Sequence, residues 1–528
     1  MGNIYVFFKY CTVSLLILIN WAELSGQTDP SGVERIAKTH NLISDTPGPD
    51  FFEGDLLGNG GLGLCITTRP DAMLLHLGHN NVWDQRLSEI PLDSIGKFKD
   101  VYSLILGSRK RLEAQGLKDP HPLDITQDTL LNNYIKNLSA IGDKQWPRPF
   151  PCGTLYLAFD PLKMYMVKRE LNISNGIWTI TYNRGGDHIY IDVFVVRGSD
   201  KVLLKAYDAK GNGIPLPFTR FRILPHDDSG SKIPSPQTFY SEEKGLAGWS
   251  QHLPKHAPLE NEGTPHVTHE GDKAFTVTLR FDKPFKRNIS RDRNYAVPIV
   301  WWQDEEPYVF TNNPPTYAEL HLTHGAADSI LKPIELGEPI NWLESYNSQS
   351  LKTTSFYKEY WNKSSISLAD KELEKVWYRN TYFSSCVIAP GYQCPGLYGN
   401  FIYKDIGTAW HGDYHFNYNV QQSFWGIFSS NRIEQHEPYI ELIKQQMPLG
   451  KSWARSFYEM PGLYIGLSGY PFVGKTLPHY NPVYSNYMST TPWAVQSLWW
   501  HYLYTQDTEL LRSTLYPILK DAAIFMNA

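Results

Sequence analysis

Cysteine is scarce. The chain has five in 528 residues, and Cys11 sits in what reads as a leader. Cys65, Cys152, Cys386 and Cys394 remain, too few for a disulfide framework at this length and with no CxxC pair for a metal. Cys386 and Cys394 are close enough in sequence to bridge, although two free buried thiols suit them as well. A basic excess is also missing: 49 Lys+Arg against 54 Asp+Glu leave a net charge of −5, which excludes a general nucleic-acid binder. Long apolar runs are absent, because Val13–Ile19 falls well short of the ~20 residues that span a membrane. With Lys9 before it and Ser25 and Gly26 after it, that run reads as a signal peptide over residues 1–26. The expected protein is therefore secreted or periplasmic, with no membrane contact after cleavage. No G-x-S-x-G elbow and no HExxH helix is present, so a serine hydrolase or a zincin finds no support. Aromatic rings, by contrast, are abundant: 16 Trp, 33 Tyr and 24 Phe make up 14% of the chain. Such rings fill cores and also form flat platforms with a polar edge.

The chain changes character along its length. Residues 40–335 are rich in turns and short alternating runs, which predicts an N-terminal β-sandwich. The clearest part runs from Arg169 to Ala206. Trp178, Ile180 and Tyr182 alternate with Ile177, Thr179 and Thr181, and a turn follows at Arg184–Asp187. Ile189, Ile191, Val193 and Val195 come next at period two, and a second turn at Gly198–Asp200 leads into Val202–Leu204. That pattern is a three-stranded antiparallel meander. Residues 336–366 read as a linker, and 367–528 follow a helical period. Asp370 can cap a helix carrying Leu373, Val376, Trp377 and Phe383. Further runs lie at Glu434–Met447, Lys451–Met460, Trp493–Thr505 behind Thr491-Pro492, and Leu510–Met526 behind Asp507. The fold class is multidomain β plus α.

Three local patterns bear on chemistry. Gly58–Gly63 matches G-x-G-x-x-G, but Cys65–Pro70 continues as strand and turn, so the glycines predict a tight turn between strands and no nucleotide site. His411 and His415 have helical i, i+4 spacing, yet Gly407 and Gly412 argue for a loop and no third ligand is evident. They read as a polar pocket wall, and no metal or cofactor is expected. Asn417 and Asn419 flank Tyr418 where Val420–Ser430 turns helical. One of them could simply cap that helix, but Trp410, His411, Asp413, His415 and Trp425 lie within fifteen residues. This is the densest mixture of rings and polar side chains in the chain. Aromatic faces stack on sugars, amides and imidazoles bind hydroxyls, and an amide can hold a water because it both donates and accepts. Glu434, Glu437 and Glu459 are candidate acids by type alone, and each suits a solvated helix charge better.

The stretch from Asp55 to Gly63, followed by Leu75–Trp83, resembles the opening of family 95 glycoside hydrolases, the inverting α-L-fucosidases and their relatives. The meander from Lys168 is similar to that family's sandwich. Asn417 and Asn419 with Trp425 match its Asn-x-Asn pair, and His436–Pro438, Gly450 with Ala454 and Tyr458, and Trp499 with His501–Thr505 follow in the same order. The resemblance implies a β-sandwich (supersandwich-like) followed by an (α/α)6 barrel that holds the active site. It implies that Asn417 and Asn419 position the attacking water; Trp410, His411, Asp413, His415 and Trp425 are expected to contact the sugar on their residue types alone, since Trp410–Asp413 departs from the family's text. It also places the general acid and a second carboxylate past Ala528, so that residues 367–528 would be the first half of a barrel and inactive alone. Gly466–Pro471 departs from the family's text near the sugar, which leaves fucose and galactose types both open. A family 65-like disaccharide phosphorylase and a non-catalytic carbohydrate-binding protein are the alternative readings. In every case the partner is an oligosaccharide or polysaccharide.

Overall fold

A computed structural model describes residues 30–86, 95–142, 147–226, 233–254, 272–287, 308–310, 314–331, 340–402, 409–471 and 487–528. The leader read at 1–26 lies outside the described residues.

Two antiparallel sheets face each other in the N-terminal part. The larger has nine strands among the described residues. In spatial order they are Leu42–Ser44, Tyr165–Asn172, Ile177–Arg184, Asp187–Val195, Lys201–Asp208, Tyr317–Gly325, Ala274–Phe281, Leu246–His252 and Gln237–Ser241. The meander is paired as its alternation demands, Arg184 opposite Asp187 and Val195 opposite Val202. Trp178, Ile180, Tyr182, Ile189, Ile191 and Val193 all enter the core. The second sheet has seven strands among the described residues, with Gly153–Ala158, Ala72–His79, Leu62–Arg69 and Asp55–Gly58 at one end. Its Leu64, Ile66, Met73, Leu75 and Leu155 meet the first sheet's inner face. Burying each such side chain contributes roughly 1.5–3 kcal/mol. Asp55 ties the sheets together, accepting from Trp178 Nε1 at 2.7 Å and from Arg169 at 2.6 Å.

Two stretches differ from the sequence expectation. Within 40–335 the chain leaves the sheets to form helices Phe98–Ala114, Pro122–Ile125 and Thr129–Gly142. This insertion does not dock on the sandwich. Its Val101 and Leu138 join Ile95 in a core with Leu449, Trp453, Phe457, Tyr464 and Phe525 from the helical part. The segment read as a linker contains a 21-residue helix, Trp342–Asn362. Tyr346 packs on Phe194, Val196 and Leu203, side chains of the large sheet's outer face. Trp361 Nε1 donates to Ile173 O at 2.9 Å, so this helix is bound along the sandwich.

The helical part follows its caps. Asp370 accepts from the backbone of Glu372 and Leu373 and opens helix Lys371–Val387. The two runs read at Glu434–Met447 and Lys451–Met460 are one helix, Glu437–Ser456, with Pro448 inside it. Helices Asn419–Ser429, Thr490–Thr505 and Tyr516–Asn527 complete a shared core with Val420, Phe424, Ile440, Ile443, Leu498 and Ile518. None of the described helices is long and apolar enough to cross a membrane. All four described cysteines are free and buried, Cys386 and Cys394 included.

The glycine-rich stretch is a turn between strands, as its surroundings predict, and it is also the contact point of the two parts. Gly60 has φ +101° and donates its N–H to Cys386 O at 2.9 Å, the last turn of helix Lys371–Val387. Asn80 Nδ2 donates to Gly60 O and Val387 O, and Asn400 Nδ2 donates to Gly61 O and Cys386 O. Side-chain amides thus satisfy the backbone groups that the close approach removes from water.

Candidate active site

The segment 409–419 enters the helical part as a short 3-10 turn, Ala409–Gly412, and then a two-residue strand, Tyr414–His415, paired with Ser468–Gly469. Tyr414 anchors it: the side chain is buried, the hydroxyl donates to Cys394 O at 2.6 Å, and the ring lies 5.4 Å from Trp83. Trp83 ends the Leu75–Trp83 stretch of the sandwich part, so that stretch packs against the segment at Tyr414. Phe416 N donates to Leu467 O, and Gln421 Nε2 returns to Phe416 O, which fixes the exit from the strand.

The residues singled out in the sequence then separate into distinct environments. Asp413 is wholly buried, and its Oδ1 lies 2.8 Å from His415 Nδ1, whose side chain is 16% exposed. Burial disfavours the imidazolium, but the Asp413 carboxylate outweighs that and holds His415 above its ordinary value. Trp410 is 70% exposed on a residue with φ +48°, so its ring stands free at the surface. The side chain of His411 lies outside the described residues. Trp425 is half-buried and meets Tyr418 edge-on at 5.6 Å, while Trp493 approaches the same tyrosine at 6.1 Å. Tyr418 and Trp493 were not picked out from the sequence. Their signal was the aromatic content of adjacent helices, and only the fold pairs it.

Asn417 and Asn419 are exposed. Neither caps the helix: Tyr418 occupies the N-cap position without a side-chain cap bond, and Asn419 is the first helical residue. Both amides therefore keep their donors and acceptors for something other than the helix end. The three glutamates considered as acids are ordinary surface charges. Glu434 pairs with Lys363, Glu459 with Lys97 and Lys99, and Glu437 accepts from Gly391 N at 3.2 Å.

A second cluster lies at the seam with the sandwich. His79 Nε2, Asp200 and His324 offer ligand atoms within 4.8 Å of one another, a spacing that a cation could bridge. The tautomer opposes that use. Asn81 N donates to His79 Nδ1 at 3.0 Å, which puts the imidazole proton on Nε2 and leaves no lone pair there for a metal.

Comparison with known proteins shows what the helical part is similar to. Residues 339–528 match the profile described as the glycosyl hydrolase family 95 catalytic domain. That segment is similar to the catalytic domain of glycoside hydrolase family 95. Two curated relatives are also similar to part of this chain. "Probable alpha-fucosidase A" of Aspergillus niger is 31% identical over 137 residues, 26% of this chain and 17% of that protein. "Alpha-L-fucosidase 2" of Arabidopsis thaliana is 28% identical over 138 residues, 26% of this chain and 16% of that protein. The aligned stretch is thus less than a fifth of either relative's length. A solved structure from the human microbiome, described as a kojibiose phosphorylase, covers 92% of this chain with 59% of its own, at a TM-score of 0.51 and 10% identity. That likeness is one of fold.

The Asp413–His415 pair has a testable signature. A histidine held above its ordinary value contributes stability in full below about pH 6.5 and loses it as pH rises through the folded value. The thermal midpoint of the wild type is expected to fall across that window, and His415→Gln to flatten that share of the slope. Scanning calorimetry over a pH series checks this, and identical slopes in the two proteins would dissolve the pair.

Proposed function

We propose that this family 95 protein is a glycoside hydrolase that removes α-linked sugars of the fucose or galactose type from glycans with inversion. Its expected parts are a leader over residues 1–26, a supersandwich-like domain over 40–335, a linker over 336–366 and helices from 367 onward that contribute to an (α/α)6 barrel. After loss of the leader it acts outside the cytoplasm. The observation that carries the reading is the pair of uncommitted amides, Asn417 and Asn419, standing beside the Tyr418–Trp425 rings in the matched segment. Inversion needs a water held on the face opposite the leaving group, with ~6.5–9.5 Å between the two catalytic groups. Two amides can orient such a water without taking its proton, which leaves that step to a carboxylate. Trp410 offers an exposed face for a sugar ring, and Asp413 and His415 supply a rigid charged wall. Glu434, Glu437 and Glu459, all paired at the surface, are not assigned as the acid.

The test follows the anomer released from an α-L-fucosyl or α-L-galactosyl glycan by proton NMR, using the full-length protein. The β anomer as first product, at a rate indifferent to inorganic phosphate, is the expected result. An α anomer would replace inversion by retention. A sugar phosphate formed only with added phosphate would establish a phosphorylase, and binding without cleavage a lectin-like protein.

A further inference from the structure

The seam cluster gathers side chains from five separate segments. His79 ends strand Ala72–His79, Asp200 precedes strand Lys201–Asp208, and His324 lies in Tyr317–Gly325. Asp272 stands just before Ala274–Phe281, and Tyr392 comes from the loop after helix Lys371–Val387. His324 Nδ1 is 2.6 Å from Asp272 Oδ2, and its Nε2 is 3.8 Å from Asp200 Oδ2. His79 Nε2, on a fully buried ring, approaches the same Asp200 oxygen at 3.2 Å. The two imidazoles lie with centroids 4.3 Å apart and planes tilted by 45°. Asp200 Oδ1 accepts from Tyr392 OH at 3.1 Å and from Asn59 Nδ2 at 3.0 Å.

These contacts determine where the charge sits. His79 accepts from Asn81 N, so it has one proton and is neutral; burial also pushes its basicity down. Two imidazoles with centroids 4.3 Å apart cannot both be cations without strong repulsion. Two carboxylates, Asp200 and Asp272, flank the other ring. Burial opposes a charge on His324, but Asp272 and Asp200 together outweigh it and raise its affinity for a proton. Among the described residues the nearest ammonium on these strands, Lys201, is turned to Glu319 at 3.2 Å.

We propose that His324 is a proton-operated latch on the joint between the sandwich and the family 95 helices. In its protonated form its single positive charge lies between Asp200 and Asp272 and offsets part of their mutual repulsion. Asp200 then holds Tyr392, which belongs to the helical part, and Asn59. Asn59 Oδ1 in turn accepts from Gly61 N at 2.9 Å and Leu62 N at 2.8 Å, setting the turn whose Gly60 N–H reaches Cys386 O. Loss of the proton leaves two carboxylates sharing one neutral ring in a half-buried site. Asp200 is then drawn towards water and its hold on Tyr392 and Asn59 weakens. The latch is closed below the ordinary imidazole value and opens as pH rises through the folded value of His324. It is independent of which sugar, if any, the protein cleaves.

The test is hydrogen exchange of the full-length protein, corrected for intrinsic rates, in peptides covering Gly60–Leu62 and Cys386–Tyr392. Between about pH 5 and about pH 9, which bracket the ordinary imidazole value, opening of both peptides is expected to increase about tenfold in the wild type. His324→Gln, which retains a donor for Asp272, is expected to remove this pH dependence. Tyr392→Phe cuts the arm to the helices: the His324 ring still titrates by NMR, but the Cys386–Tyr392 peptide no longer follows it. Equal protection at both pH values in the wild type would overturn the latch, as would a His324→Gln protein with the wild-type dependence. Calorimetric binding of one Zn2+ that His324→Gln abolishes would also overturn it, in favour of a metal site.

Discussion

Asn419→Asp and Asn417→Ala are each expected to cut turnover by about 10²–10⁴, the range supplied by positioning a nucleophile and handling its proton. The two changes separate catalysis from folding for different reasons. Asn417 is exposed and is not the helix cap, so truncation removes an amide without emptying any cavity. Asn419 is the first residue of helix Asn419–Ser429, where a carboxylate is favoured by the helix dipole by about 0.3–1 kcal/mol. Asn419→Asp should therefore leave the fold as stable or slightly more so while activity collapses, because an ionised carboxylate accepts hydrogen bonds but cannot donate one to the water. Steady-state rates on a fucosyl or galactosyl glycan, with urea denaturation alongside, provide both halves of the comparison. Near-normal turnover in both variants would remove these residues from the mechanism.

The second large effect concerns the turn at the seam. A Cβ built on Gly60 would lie 2.1 Å from Ala389 Cβ and 2.7 Å from Ala389 N, on a backbone with φ +101°. Gly185, in the hairpin of the meander, has φ +64° and nothing within 4 Å. Left-handed strain costs about 1–2 kcal/mol for an L-residue, and overpacking adds about 1–3 kcal/mol. Gly60→Ala is thus expected to destabilise by about 3 kcal/mol and Gly185→Ala by about 1 kcal/mol. The difference, read from denaturant midpoints, is the value of close contact between the sandwich and Ala389, just past helix Lys371–Val387. Equal losses would mean that the two parts are not packed at Ala389.

The meander and the cap at Asp370 were legible in the sequence because each depends on neighbours in the chain. Period-two alternation needs only the next strand, and a cap needs only the amides that follow it. What failed to show depends on distant partners. Helix Lys371–Val387 was expected to bury Leu373 and Val376, yet these are 59% and 51% exposed. The face it buries carries Glu374, Tyr378, Thr381, Tyr382, Ser385 and Cys386, side chains that hydropathy alone scores as mediocre. The insertion Phe98–Gly142 was missed for a related reason. Helix Phe98–Ala114 buries only Val101 and Ser108, too little for a strong helical period. In the site, residue type identified the amides and rings, and three-dimensional structure paired Asp413 with His415 and Tyr418 with Trp425. The joint of His79, Asp200, Asp272, His324 and Tyr392 had no local signal at all, since each residue comes from a different stretch of chain.

The route of that insertion has a consequence for how the protein is made. Val101 and Leu138 leave the ribosome early, but the side chains they pack against begin at Leu449. At the ordinary pace of synthesis the partner surface follows roughly 15 to 60 seconds later. During that interval the sandwich can close its own sheets while the insertion waits with an unpaired apolar face. Assembly must then proceed in order, sheets first and strap last. A change that slows translation between Leu138 and Leu449 lengthens the exposure without altering a single contact of the finished molecule.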